Sequence, residues 1–121
     1  MPTTVTKTAR TLQSSASNAA AATTTSSAID LTTAPAALAV ARITNGSTGP
    51  TLGCEFILDI STDAANWREL SRQLAGTTAN TTYDFVVEIP PAAMHLRSRF
   101  TGNTAQPVTV EAQLHELTSI G

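Results

Sequence analysis

The chain has 121 residues, a formal net charge of −2 and one cysteine. That length fits one domain with a real core, the charge leaves no basic face for a nucleic-acid backbone, and one cysteine cannot form an internal disulfide. No apolar run is long enough to cross a membrane as a helix, and the opening MPTTVTKTAR holds no apolar segment of the kind a secretory signal needs.

Threonine occurs 22 times and alanine 20 times, against five aromatic residues in all. Threonine favours strands, and alanine with threonine makes flat surfaces of small side chains. Only 13% of residues are charged, whereas a free-standing soluble monomer carries more. The deficit points to a surface covered by other protein.

Residues 1–27 are a low-complexity Thr/Ser/Ala stretch, expected to form an extended N-terminal arm, with the sandwich domain spanning residues 28–121. Val5 and Leu12 are the arm's apolar anchors, and Lys7 and Arg10 its charges. These four are candidate partner contacts if the arm lies on neighbouring subunits or adds a strand to a sheet edge. Residues 18–22 suit a helical turn. Residues 28–31 start a short strand, Pro35 interrupts, and residues 38–44 form a strong strand. The loop at 45–50, with two glycines and a proline, leads into residues 54–61. These two strands are therefore expected to be antiparallel neighbours.

Cys54, Phe56, Leu58 and Ile60 alternate with Glu55, Ile57, Asp59 and Ser61, the period of a strand with one face in a core. Residues 61–66 supply turn chemistry. Trp67 restarts the chain and is expected to plug one end of the sandwich. A strand follows at 68–74. Tyr83, Phe85, Val87 and Ile89 share the inner face of the next, with Asp84, Val86 and Glu88 opposite, and Pro90 and Pro91 end it. Met94, Leu96, Ser98 and Phe100 alternate with His95, Arg97, Arg99 and Thr101. Val108, Val110, Ala112 and Leu114 form the inner face of the last long strand. Seven or eight short strands with regular turn signals and no helix predict an all-β fold: an antiparallel β-sandwich, jelly-roll-like, in a single domain behind an extended N-terminal arm.

The search for reactive chemistry assigns no catalytic, cofactor-binding or metal-binding residue. His95 and His115 lie on the outward phase of their strands and would share a surface only if those strands pair. Neither HxH nor HExxH occurs. Asp59, Asp63 and Asn66 lack a calcium-loop pattern and read as turn residues. Cys54 reads as a small buried hydrophobe. The densest basic group is Arg68, Arg72, Arg97 and Arg99, each pair placed by spacing on one face of its own strand. Two readings stand side by side: partner contacts, where arginine is enriched, or cross-strand pairs to acids on a solvated face.

Two runs, ARITNGSTGPTLGCEFILDISTDAANWREL and EIPPAAMHLRSRFTGNTAQPVTVEAQLHEL, resemble small β-sandwich structural proteins of tailed bacteriophages. The likeness is carried by the ITNGxTGPT loop ending at Thr51, SxDxxxW at 61–67, the Ile-Pro-Pro corner at 89–91, and FxGNTxxxVTV at 100–110. It spans residues 38–117 and leaves the arm outside. Asp63-Ala64 stands where such a corner usually carries Asp-Gly. The resemblance implies a non-enzymatic virion component. Taken with the composition, it implies a capsid decoration, or cement, protein on the capsid surface, made in the host cytoplasm. Its partners would be the major capsid protein or other virion proteins, as a homo-oligomer or multi-copy array, with no cofactor, nucleic acid or membrane. The alternatives are a neck, tail, baseplate or fibre-attached module and, further off, a carbohydrate-binding module, for which only Trp67 and Tyr83 offer an aromatic platform.

Overall fold

The structure, a computed structural model, describes residues 5–34 and 36–120, the side chains of residues 5, 6 and 118–120 excepted. Its described elements are all strands: β1 Val5–Asn18, β2 Thr24–Thr25, β3 Ile29–Asp30, β4 Ala36–Asn45, β5 Glu55–Ser61, β6 Arg68–Leu74, β7 Thr82–Ile89, β8 His95–Thr101 and β9 Val108–Ile120. One sheet has the order β1-β9-β4-β7; the other has β2-β8-β5-β6, with β3 continuing the line of β2 along β8.

The pairing is nested. β1 pairs with β9, β2 and β3 with β8, β4 with β7, and β5 with β6, all antiparallel. The chain is thus one long hairpin whose tip is the corner between Ser61 and Arg68, rolled into two sheets. That is the jelly-roll arrangement, and it accords with the predicted fold class. Between the sheets, Phe56, Leu58, Leu96, Phe100, Ile43, Val110 and Leu114 are fully buried. Their period-2 spacing is what put them on one face.

Two expected neighbours are not neighbours. β4 and β5 lie in opposite sheets, because residues 46–54 cross between layers instead of closing a hairpin. β8 and β9 are likewise separated. Alternation tells which face a residue takes, but not which sheet its strand joins.

Most of the low-complexity stretch is sheet, as β1 from Val5 to Asn18 and β2 at Thr24–Thr25. β1 pairs with β9 along its length, with register shifts at Thr6/Lys7, Thr11/Gln13 and Gln13/Ala16. The sandwich therefore extends back past the boundary drawn at residue 28. Such a strand has little apolar alternation to reveal it; backbone bonds to β9 hold it, and one apolar side chain among those described, Leu12, enters the core at 6% exposure. Residues 19–22 make a tight turn, Ala22 N donating to Ala19 O, with Ala21 at φ 61°.

Loops at one end of the sandwich are clamped together. Asn45, 2% exposed, donates from Nδ2 to the carbonyls of Gly76 and Thr78. A Cβ at Gly49 would lie 1.9 Å from the Thr77 carbonyl oxygen, and one at Gly53 equally close to that of Ala75. Asn18 and Asn103, both fully buried, join the β1–β2 turn to the β8–β9 loop. The motif residues that the sequence marks as loop thus hold loops to one another.

Candidate interaction surfaces

The groups with reactive potential are occupied or separated. His95 and His115 lie on opposite outer faces, since β8 and β9 belong to different sheets. No group of three His, Cys, Asp or Glu suited to a metal occurs among the described residues. Asp63 accepts from Ala65 N, Asn66 N, Asn66 Nδ2 and Ser61 Oγ. The backbone N–H of Asn66, then that of Ala65, hold its carboxyl far below the usual range, as turn chemistry requires. Burial pushes the Cys54 thiol up to about 12, which leaves almost no thiolate to act as a nucleophile.

The outer face of β2/β3-β8-β5-β6 is a lattice of ion pairs. Asp59, 2% exposed, accepts from Arg97 Nε at 2.9 Å, from Arg99 Nε at 2.7 Å and from Arg99 Nη2 at 3.1 Å. Burial alone would raise its carboxyl; the hydrogen bonds from Arg99 and Arg97 outweigh that and hold it below the ordinary value. Arg72 bridges Glu69, at 2.7 Å from Nη2, and Glu55. Ile57 is fully buried on this outer side, directly across from Arg72 and Arg99. The Arg97 guanidinium stands 4.6 Å from the centre of the Trp67 ring. Trp67 therefore lies over this face as a cation–π partner, outside the buried core cluster, and does not plug an end.

Of the four arginines, three are committed to cross-strand pairs. Arg68 is exposed and forms no ion pair among the described residues. It does not share a face with Arg72 as the spacing implied. A bulge at Leu70 shifts the register, so Arg68 lies across from Ile60 on the core phase and Arg72 across from Ile57 on the outer phase. The arm residues separate similarly. Lys7 is exposed on the outer face. Arg10 binds Glu116 at 2.8 Å, and Leu12 is a core residue, not a contact. The Val5 side chain lies outside the described residues.

The other outer face, β1-β9-β4-β7, of whose residues the sequence marks only Lys7 as a contact, is the less neutralised one. Cross-strand register arranges it in rows: Thr82–Thr44–Thr109–Ser17, then Asp84–Arg42–Glu111, then Val86–Val40–Gln113–Thr11, then Glu88–Leu38–His115–Ala9. Arg42 and Asp84 pair at 2.9 Å. Leu38 and Val86 are 38% and 64% exposed. A groove of about 390 Å³ runs between Lys7, Ala36, Leu38, Glu88, His115 and Leu117. These rows become visible only once strand partners are known.

The sequence matches no protein-family model and no curated protein. By shape the chain is similar to the PBSX exported protein XepA (TM-score 0.66, 11% identity), covering 93% of this chain and 37% of that one. It is similar to the SPBc2 prophage-derived protein YomS (TM-score 0.54, 15% identity) over 95% of this chain and 97% of that one. A chain of infectious bursal disease virus, Gx strain, matches over 94% of this chain and 32% of its own length (TM-score 0.59, 12% identity). This chain thus corresponds to about a third of XepA and of the viral chain, and to nearly all of YomS. At these identities the likeness establishes the fold.

Proposed function

We propose that the chain is a non-enzymatic structural protein of a phage particle and, more specifically, a capsid decoration protein that binds the assembled shell. The observation that carries this reading is the jelly roll shared nearly end to end with a prophage-derived protein, and with about a third of a chain of a virus. The motif resemblance to phage β-sandwich proteins and the low surface charge support it.

The physical logic is that of a rigid clamp. Loop ends locked by Asn45, Asn18 and Asn103 leave little to reorganise on binding, which lowers the ordering cost of each contact. The contact face is the outer side of β1-β9-β4-β7, where Lys7, Leu38, Glu88 and Leu117 border the groove. The opposite face has its arginines satisfied internally and offers less. Weak contacts repeated over a shell add by multivalency, and binding that favours the assembled state stabilises it by linkage.

The test is to add purified protein to shells that lack it and count bound copies. Occupancy that scales with the number of capsomers supports decoration. Occupancy confined to one vertex or to tails would move the chain to the neck, tail or fibre. Leu38→Asp should abolish shell binding while leaving the fold intact; undiminished binding would remove this face from the reading.

A further inference from the structure

Strand edges without a partner strand, among the described residues, are β1 and β7 in one sheet, and β6 and the β2/β3 line in the other. Such an edge is a template for another strand unless something spoils it. β1 is bulged. β2 and β3 have two residues each. β6 is bulged at Leu70 and carries Arg68, Glu69 and Arg72. β7 is neither short nor bulged, and its only charges are two outward-facing acids, Asp84 and Glu88. It runs eight residues and pairs with β4 from Thr82 to Ile89 without a register shift. It contains no proline, lysine or inward-facing charge.

The flank that β7 borders is also apolar. Tyr83, Phe85 and Val87 on the core phase of β7 are only half-buried, as is Leu70 of β6. On the adjacent β4, Ala39, Ala41 and Ile43 are at most 1% exposed. The opposite flank is closed by Leu12 and Ile29, each at 6%. Phe85 is the outward end of an aromatic row: Phe100 and Phe56 have ring centres 5.2 Å apart, and Phe56 and Phe85 6.4 Å. Val86 beside it is 64% exposed.

We infer that β7 is a homodimerisation edge, pairing antiparallel with β7 of a second copy about a two-fold axis centred on Phe85, so that the two four-stranded sheets become one. A two-fold axis normal to the sheet makes the pairing antiparallel and keeps core side beside core side. Only a few registers then remain, and the two acids choose among them. Centring on Val86 sets Asp84 across from Glu88 twice. Centring on Asp84 sets that residue against itself. Centring on Phe85 pairs every residue from 82 to 88 with no acid facing an acid. Val86 then meets Asp84, Thr82 meets Glu88, Tyr83 meets Val87 and Phe85 meets Phe85. Asp84 is already neutralised by Arg42, and the Thr82 hydroxyl can donate to Glu88. Strand pairing would satisfy the outward backbone groups, and Phe85 of the second copy would extend the aromatic row. The occupant is a second copy because, of the registers that keep the acids apart, the one centred on Phe85 pairs the most of β7 with itself.

The inference stands on the edge strand and does not depend on the virion reading, so the assay uses purified full-length protein without particles. Sedimentation equilibrium should give a dimer. Val86→Glu, a change at an exposed position, places a carboxylate across from Asp84 twice and should weaken dimerisation by about tenfold or more. Val86→Lys places an ammonium there and should keep the dimer. Circular dichroism and thermal melting establish that both variants are folded. A monomeric parent protein overturns the inference, as does equal dissociation of both variants, or a dimer that neither variant changes.

Discussion

Asn18 and Asn103, 85 positions apart, share a 2.5 Å hydrogen bond where neither is exposed to solvent. Asn103 also donates to the carbonyls of Asn18 and Gln106, and Thr24 donates its hydroxyl to Asn18 Oδ1. The turn out of β1 and the turn into β9 are thereby one polar unit, closed over by the sheets. Buried amides in such a unit are stable only while all stay paired.

Asn103→Ala should therefore cost more than one hydrogen bond, since it strands the Asn18 amide and several carbonyls. The expected loss is about 3 kcal/mol, read as a lower urea midpoint with an unchanged m-value. A loss near zero would mean that water replaces the amide freely.

Gly49→Ala tests the close approach of the two crossing loops. The added Cβ would sit 1.9 Å from the Thr77 carbonyl oxygen, with Thr77 C at 2.9 Å. Backbone, not a flexible side chain, has to move. The expected cost is about 2 kcal/mol. Gly46→Ala, where a Cβ meets nothing within 4 Å, is the control and should be nearly silent in the same melts.

Much of this fold was legible in the residues. Phe56, Leu58, Leu96, Phe100, Val110 and Leu114 alternate cleanly, so their strands and core faces followed from period alone. Partnership was not legible. Residues 38–44 and 54–61 looked like a hairpin because a short polar loop joins them, yet the loop's glycines serve a crossing between layers. Arg68 and Arg72 looked like one face because a bulge at Leu70 leaves no mark in spacing. β1 looked like an arm because threonine, serine and alanine carry no hydrophobic signal, while the backbone bonds that hold it are sequence-blind. Of the contact candidates, Arg72, Arg97 and Arg99 proved bound to Glu55, Glu69 and Asp59. Nothing in spacing marks Leu38 and Val86 as contacts, because an apolar residue on an outward phase is ordinary until cross-strand register assembles its row.

Asp59 makes part of the stability dependent on acid. Its folded-state pKa lies below the ordinary 3.8, so the folded state prefers the carboxylate. The resulting stability is present above the unfolded pKa and is lost as pH falls through the folded value. Melting temperature should hold from neutral pH to about pH 5 and drop as pH falls further, through and below the ordinary carboxylate range. Asp59→Asn should cost about 2 kcal/mol at neutral pH, less than for a pair wholly shut from water, because Arg97 and Arg99 keep 28% side-chain exposure. The variant should also lose part of the acid slope. A slope identical to that of the parent protein would assign the pH dependence to other carboxylates, Asp63 first among them.

The sharpest consequence concerns β1. An arm that only reaches a neighbour can be removed and leave the sandwich folded; an edge strand cannot. Deleting residues 1–18 would unpair β9 on one side and remove Leu12 from the core. It would also strip Glu116, 4% exposed, of Arg10, and take Asn18 from Asn103. Each loss leaves buried groups that other strands cannot cover. The truncated protein should lack a cooperative thermal transition and bind a hydrophobic dye at temperatures where the full chain does not. A milder probe separates packing from pairing: Leu12→Ala keeps every backbone bond and should cost about 2–3 kcal/mol. If the truncated chain melts cooperatively near the temperature of the full protein, β1 is an appendage and residues 19–121 are sufficient for the fold.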